Sequence, residues 1–453
     1  MHNLRRKKTA TVQILALIFL LTATAFASDD ISPRALADLA KDPASPKFKE
    51  VLVAALHDAE IKKGTAWLGE GPEFVWAVEA ASQPTLLVDG KPGPAMRQIP
   101  NSNLWFAFGQ VVPLGKLHQF HYLIGGQKSG GLTDLPAFTA DSYAHPGVPQ
   151  GKLSEKRVFT SKIYDGMICD YWIYVPAQYD PKTPAALMVW QDGKSYIDRN
   201  SPVTRILDVM DNLIAQKKIP VMIGVFISPG DIEGSPDTET HRFVKAYSEK
   251  TKRTMRDSMR STEYDTVSDR YARFLRDEIL AEVESQYNIR KDATSRAITG
   301  LSSGGICSFN VAWQQPDQFS RVISWIGSYA AIQWHPGVVD GGNVYPNKVR
   351  LEDKRNIRVW LQDGTEDLEN IYGSWPLQNI QLVNSLKMRE YDFHFSFAHG
   401  SHSPAHGSAE FPEEMTWLWR DYDPAKTEQV YEMTPAEKAK PYFRVTSLNR
   451  AGD

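Results

Sequence analysis

The stretch Arg296–Asn310, R-A-I-T-G-L-S-S-G-G-I-C-S-F-N, constrains the fold of this chain more than any other segment. It sets Ser302 at the centre of G-x-S-x-G, between a run that reads as a buried strand and a run that reads as a helix. A turn of that sharpness leaves no space for large side chains two residues before and two after the serine, and Gly300 and Gly304 supply the room. The strained turn, a nucleophile elbow, lifts the serine Oγ out of the backbone. Three fixed positions match by accident on the order of 0.1–0.2 times in a chain this long. The pattern therefore needs support from its surroundings.

Those surroundings alternate strands with helices. Asp170–Val175, Ala185–Trp190, Pro220–Ile227, Ala297–Thr299, Val322–Ile326, Ile357–Leu361 and Phe393–Phe397 read as strands, with helices over Ile206–Ala215 and Tyr264–Tyr287. This order predicts an α/β fold, a doubly wound sheet, in which ligands meet the carboxyl ends of the strands. Ser302 would stand at such an end. The chain before residue 150 has another texture. From Phe74 to Gly126, short aromatic-rich apolar runs broken by Pro and Gly predict a small β-sandwich, with Trp76, Trp105 and Tyr122 in its core. Two helical patches between Ser32 and Ile61 precede it, and Asp134–Gly151 reads as an ordered linker over the surface. The expected division is residues 28–148 for the helices and sandwich, 149–425 for the α/β domain, and 426–453 for a carboxyl-terminal tail.

Residues 1–27 read as a cleaved signal peptide: Arg5, Arg6, Lys7 and Lys8 precede the apolar run Ile14–Leu21, and Ala25-Phe26-Ala27 offers small residues at the cleavage positions. The run is too short to span about 30 Å of hydrocarbon, so the expectation is a periplasmic or secreted protein with no stable membrane anchor after cleavage. Cleavage takes the formal charge from −3 to −7, which argues against nucleic acid as a partner. An oxidising compartment would permit Cys169 and Cys307 to pair; two buried thiols are the favoured reading.

A serine hydroxyl needs a base within hydrogen-bond reach and an acid to hold that base in the right tautomer. Both have candidates just past strands downstream of the elbow: Asp363 and Asp367 in D-G-T-E-D, and His399, His402 and His406 in H-G-S-H-S-P-A-H. One oxyanion donor follows from the elbow itself, the N–H of Ser303.

Taken together, G-L-S-S-G-G, the following A-W-Q-Q-P-D-Q-F-S-R-V-I-S-W-I-G-S-Y, L-Q-D-G-T-E-D, and G-S-H ahead of E-F-P-E-E-M-T-W-L-W resemble the putative-esterase family of α/β-hydrolases over about residues 150–425. That branch includes enterochelin esterases, feruloyl esterases and mycolyltransferases. The amino-terminal segment is similar to the immunoglobulin-like domain that precedes the catalytic domain in enterochelin esterases and related enzymes.

The resemblance implies Ser302 as nucleophile, Asp367 as acid, with Asp363 its rival, and His402 as base. It also implies a second oxyanion donor, the N–H of Lys194 after Asp192-Gly193. Tyr329, Trp334, His399 and His406 are candidates to line the substrate. Metal is discounted in spite of the H-x-x-H-x-x-x-H spacing, and no cofactor is expected. Glu263, in R-S-T-E-Y-D, is expected to be structural. The expected activity is that of an exported serine esterase acting on a small-molecule or carbohydrate-linked ester, an acyl or hydroxycinnamoyl ester on a sugar being favoured. A siderophore esterase, an acyltransferase and a non-catalytic carbohydrate-binding protein on a hydrolase scaffold remain as alternatives.

Overall fold

The computed structural model of the chain describes residues 31–232, 259–444 and 446; the segment read as a signal peptide lies outside them. The first eight strands form two four-stranded antiparallel sheets. One has the order β1 (Ala66–Glu70), β2 (Glu73–Glu79), β6 (Leu104–Gln110), β5 (Arg97–Gln98). The other runs β4 (Lys91–Pro92), β3 (Thr85–Val88), β7 (Lys116–Ile124), β8 (Gln127–Ala137). Alternation along β2 sends Phe74, Trp76 and Val78 into a core shared with Leu86, Phe120, Tyr122 and Leu135 of the opposite sheet. The intervening Val75 and Ala77 meet Leu36, Phe48, Leu52 and Ile61, carried by the helices Pro33–Leu39, Pro46–Leu56 and Asp58–Lys63. A strand covered on both faces shows no polar side, which is why F-V-W-A-V is unbroken in sequence. Trp76, Trp105 and Tyr122 are all core residues, as expected.

The ordered linker begins later than expected. The first residues expected in it belong to β8, and the rest is pinned to the helix Ile206–Ala215. Asn212 Nδ2 donates to the carbonyls of Asp141 and Tyr143 at 2.9 and 2.7 Å, and the Gly151 N–H reaches Asp211 Oδ1 at 2.8 Å.

The main sheet has nine strands. In spatial order these are β10 (Arg157–Thr160), β11 (Ile168–Val175), β13 (Met222–Ile227), β12 (Ala186–Gln191), β14 (Arg296–Leu301), β15 (Arg321–Trp325), β16 (Arg358–Glu366) and β19 (Asp392–Ser401), with β9 (Lys152–Leu153) beside β11; β17 (Glu369–Asn370) and β18 (Gly373–Ser374) pair with each other outside it. The pairs from β13 to β19 are parallel, whereas β11 pairs antiparallel with β9, β10 and β13, so the sheet is mixed. Period-2 alternation divides each central strand between two cores. Leu187, Val189, Ile298 and Val322 pack with Phe274, Ile279, Ile306 and Phe309 on one face. Met188, Trp190, Ala297 and Ile323 pack with Val209, Leu213, Phe411 and Met415 on the other. Burying each large apolar side chain is worth about 1.5–3 kcal/mol relative to exposure.

Two expected boundaries move. Tyr264–Tyr287 is not one helix: Arg260–Tyr264 ends at Asp265, because the Val267 N–H is taken by the Asp340 carbonyl at 2.8 Å. Helix resumes over Arg270–Phe274 and Leu280–Glu284 around a π-helical turn, Leu275–Ile279. The strand expected to end at Leu361 instead continues to Glu366, because its pairing with β19 persists through Asp363 opposite Phe397 and Gly364 opposite Ala398. The segment 426–444 also packs: Asn356 Nδ2 donates to the Gln429 carbonyl at 2.7 Å, and the Tyr431 hydroxyl meets Ser320 Oγ at 3.0 Å. Cys169 and Cys307 are both buried, and they are not joined by a disulfide. Among the described residues no helix is long and apolar enough to cross a membrane.

Candidate active site

Ser302 joins β14 to the helix Ser303–Gln314 with φ 60° and ψ −119°, a sparsely populated conformation that costs about 1–3 kcal/mol and must be held by its surroundings. The Ser302 N–H donates to the Trp325 carbonyl at 2.9 Å, and the Ser302 carbonyl accepts from the Ser328 N–H at 3.0 Å. A Cβ on Gly300 would lie 2.5 Å from the Gly304 carbonyl, and one on Gly304 would lie 3.0 Å from Gln191 Cβ. Both glycines are therefore dictated by close approach, as the pentapeptide implies.

The loops after β16 and β19 reach the same point. His402 Nε2 lies 2.8 Å from Ser302 Oγ, and His402 Nδ1 is hydrogen-bonded to Asp367 Oδ1. The Asp367 side chain is fully buried and the His402 side chain is 14% exposed. Asp367 Oδ1 also accepts the Leu368 N–H at 2.6 Å, which fixes its rotamer. Asp363 lies inside β16, with Oδ1 accepting its neighbour Gly364's N–H at 2.7 Å, and its neighbouring ionisable group is the Asp367 carboxyl rather than a histidine. Burial, reinforced by the Asp367 carboxylate, holds the Asp363 carboxyl well above the usual range. Both effects favour the neutral form of Asp363.

Two residues of this site had no place in the sequence reading. The Ser328 hydroxyl lies 3.1 Å from Ser302 Oγ and 3.1 Å from Trp375 Nε1, and the Trp375 ring meets the His402 ring edge-on at 5.9 Å. Each stands next to a glycine or serine just past a strand, in G-S-Y and G-S-W, but neither sequence marks a role.

The candidate oxyanion donors are set by the elbow and by the turn after β12. Ser303 is the first residue of its helix, so its N–H has no acceptor within that helix. Asp192 is left-handed (φ 56°), and its carboxylate takes a bidentate pair from Arg260, at 2.7 Å to each oxygen. Gly193 packs so closely on β13 that a Cβ would lie 2.3 Å from the Phe226 carbonyl carbon. Among the described residues, the partner of the Lys194 N–H is Ser228 Oγ, at a long 3.4 Å. Glu263 is buried and accepts the Gly230 N–H at 2.8 Å, a structural bond.

Tyr329 and His406 do not line a substrate space. Tyr329 is fully buried, stacked edge-on with Phe309 and Tyr345, its hydroxyl 3.0 Å from Ser324 Oγ; the turn after β15 folds back into the core instead of over the sheet. His406 is buried at the start of the helix Ala405–Leu418, between Gln362 Nε2 at 2.8 Å and Ser396 Oγ at 3.2 Å. His399 is partly exposed and bonds Thr365 Oγ1 at 2.6 Å. Trp334 is 44% exposed over a groove lined by Asn343, Asn347, Lys348 and Leu351. The three histidines of the H-x-x-H-x-x-x-H run are thus engaged separately, and among the described residues no cluster of three His, Cys, Asp or Glu could hold a metal ion.

A mixed α/β sheet with a serine elbow facing a histidine and an aspartate defines a class of hydrolases. Residues 169–418 match the family described as "Putative esterase", and the chain belongs to that family. It is a carboxylic ester hydrolase, a class that acts on small-molecule esters. Among solved structures the chain is similar to the enterobactin esterase of Shigella flexneri, at 15% identity and a TM-score of 0.49, over 83% of this chain and 99% of that one. It is also similar to a ferulic acid esterase (17%, TM-score 0.43, 60% and 99%) and to one from Anaeromyces mucronatus (16%, TM-score 0.43, 63% and 96%). No curated protein matches it in sequence.

Proposed function

We propose that the chain is an exported serine esterase in which Ser302, His402 and Asp367 act as one unit. The observation that carries this reading is the continuous hydrogen-bonded line from Asp367 through His402 to Ser302. Ser302 Oγ attacks the ester carbonyl while His402 Nε2 takes its proton, and Asp367 stabilises the imidazolium. The N–H groups of Ser303 and Lys194 receive the oxyanion, each such donor being worth about 2.7–4 kcal/mol in known cases. His402 then protonates the leaving alcohol, and a water molecule activated by the same nitrogen hydrolyses the acyl-enzyme.

The substrate we favour is an acyl or hydroxycinnamoyl ester on a carbohydrate. A triscatecholate lactone is anionic and would favour a basic site, whereas the chain carries a formal charge of −7 once residues 1–27 are removed. Export follows from the basic start and apolar run of that segment. The units proposed are residues 28–148, immunoglobulin-like in its sandwich, and 149–425, with residues 426–444 packed against the second.

Short-chain p-nitrophenyl esters test the chemistry. Ser302→Ala and His402→Ala should each lower kcat by several orders of magnitude, because members of such a unit are non-additive; near-normal turnover in either rejects the assignment. Methyl ferulate, an acetylated xylan and a triscatecholate lactone, compared by kcat/KM, test the substrate. A tenfold preference for the lactone would reverse the choice.

A further inference from the structure

The loop that carries His402 is short: β19 ends at Ser401, and the next helix starts at Ala405. What fixes it comes from the amino-terminal sandwich. Asp134, near the end of β8, accepts the Ser401 N–H at Oδ1 over 2.8 Å and the Ser401 hydroxyl at Oδ2. Both carboxylate oxygens therefore hold the residue immediately before His402. Bonds to an ionised acceptor are roughly twice as strong as neutral ones, and two of them on one residue fix its orientation as well as its place.

The neighbouring contacts have the same sense. A Cβ on Gly400 would lie 2.7 Å from Leu117 Cδ2 of β7 and 3.4 Å from Asp134 Oδ1, so the loop is seated directly on the sandwich. On the far side of His402, Lys116 Nζ donates to Glu410 Oε1 and Glu413 Oε2, at 2.9 Å each, tying β7 to the helix that leaves the loop. The base loop is thus gripped before and after His402 by two adjacent strands of the other unit.

We infer that Asp134 is a positioning residue for ester hydrolysis: through Ser401 it holds the loop in which His402 Nε2 faces Ser302 Oγ, so the sandwich completes the active site. The inference rests on His402 being the base, and it deepens that reading. Asp134 touches neither substrate nor reacting atoms. Its effect should therefore fall on kcat, since an error of about 1 Å in a reacting group costs on the order of 100-fold.

The test uses the full-length protein and p-nitrophenyl acetate. Asp134→Ala should lower kcat about 10- to 100-fold with KM within about twofold of the parent. Asp134→Asn should recover to within about threefold, because its amide oxygen can accept the Ser401 N–H and its amide nitrogen can donate to the Ser401 hydroxyl. Recovery by Asn separates geometry from charge. An Asp134→Ala kcat within twofold of the parent, with His402→Ala inactive, overturns the inference and leaves the triad reading standing. A rise in KM alone overturns it too, since the sandwich would then be binding substrate. If Asp134→Ala does not fold, Ser401→Ala decides: a fall in kcat of about threefold or more at unchanged KM supports the inference, and an unchanged kcat rejects it. Full turnover in His402→Ala would remove the base reading, and this inference with it.

Discussion

The hydroxyl of Ser328 stands between Trp375 and Ser302, 3.1 Å from each partner atom, where it can accept from the first and donate to the second. An indole N–H is only a donor, so Ser328 Oγ accepts from Trp375, and its own hydrogen is free to go to Ser302 Oγ. The Ser302 hydrogen is then left for His402 Nε2, as attack requires, and His402 Nδ1–H points to Asp367.

Ser328→Ala should therefore slow turnover without abolishing it. One neutral hydrogen bond is worth about 0.5–1.5 kcal/mol net, or roughly 2- to 12-fold in rate. The buried Trp375 N–H also loses its acceptor, so the melting temperature should fall together with kcat. A kcat unchanged within error would show that Ser302 is oriented by His402 alone.

The two aspartates should separate sharply. Asp367→Asn replaces an acceptor of the His402 Nδ1–H with a group that can favour the wrong tautomer, a change worth about 10⁴-fold in kcat in a comparable triad. Burial and the Asp367 carboxylate favour the neutral form of Asp363, so Asp363→Asn preserves that neutrality and keeps an acceptor for the Gly364 N–H. Its kcat should stay within about tenfold of the parent. The reverse ranking would transfer the acid's role to Asp363.

A third expectation concerns stability against pH. Asp265 is buried, and burial pushes its carboxyl up to about 6, against the opposing pull of Arg260. Its folded-state value thus exceeds that of the unfolded chain, near 3.8. Below about pH 3.8 the group is protonated in both states. As pH rises from there to about 6 the unfolded chain releases its proton first, and stability falls by about 3 kcal/mol, a shift of roughly two units at 1.36 kcal/mol each. Asp265→Asn stays neutral throughout, so it should melt higher than the parent at pH 8, the gap closing toward pH 4. A gap that does not change with pH would mean that Asp265 ionises in the folded protein as it does in the unfolded chain.

The parts of this site that could be read from sequence are those whose geometry is local. Gly300 and Gly304 mark the elbow because the collision they avoid lies within five residues of chain. The choice between Asp363 and Asp367 was open because it depends on where β16 stops, and that is set by pairing with β19 rather than by the D-G-T-E-D residues themselves. Tyr329 was misplaced for a related reason: a turn after a strand can fold over the sheet or into the core, and Phe309 and Tyr345 draw this one inward. Asp134 carried no local signal at all, since the serine it holds is 267 residues away.

That distance bears on what a shortened chain would do. Every strand of the main sheet lies after Gly151, and both of its apolar cores are built from residues beyond that point. A chain starting at Gly151 should therefore fold, with far-UV and near-UV circular dichroism typical of a packed α/β domain. It would nonetheless lose Asp134 from Ser401 and Lys116 from Glu410. With the base loop released, turnover of p-nitrophenyl acetate should drop at least as far as in Asp134→Ala, about 10- to 100-fold, and it should do so on a substrate too small to need the sandwich for binding. Normal turnover on this ester with a defect only on polymeric substrates would instead make the sandwich a presenter of substrate. A chain that fails to fold would mean that the sandwich and the sheet share one cooperative core, through contacts such as Asn212 with Asp141 and Tyr143.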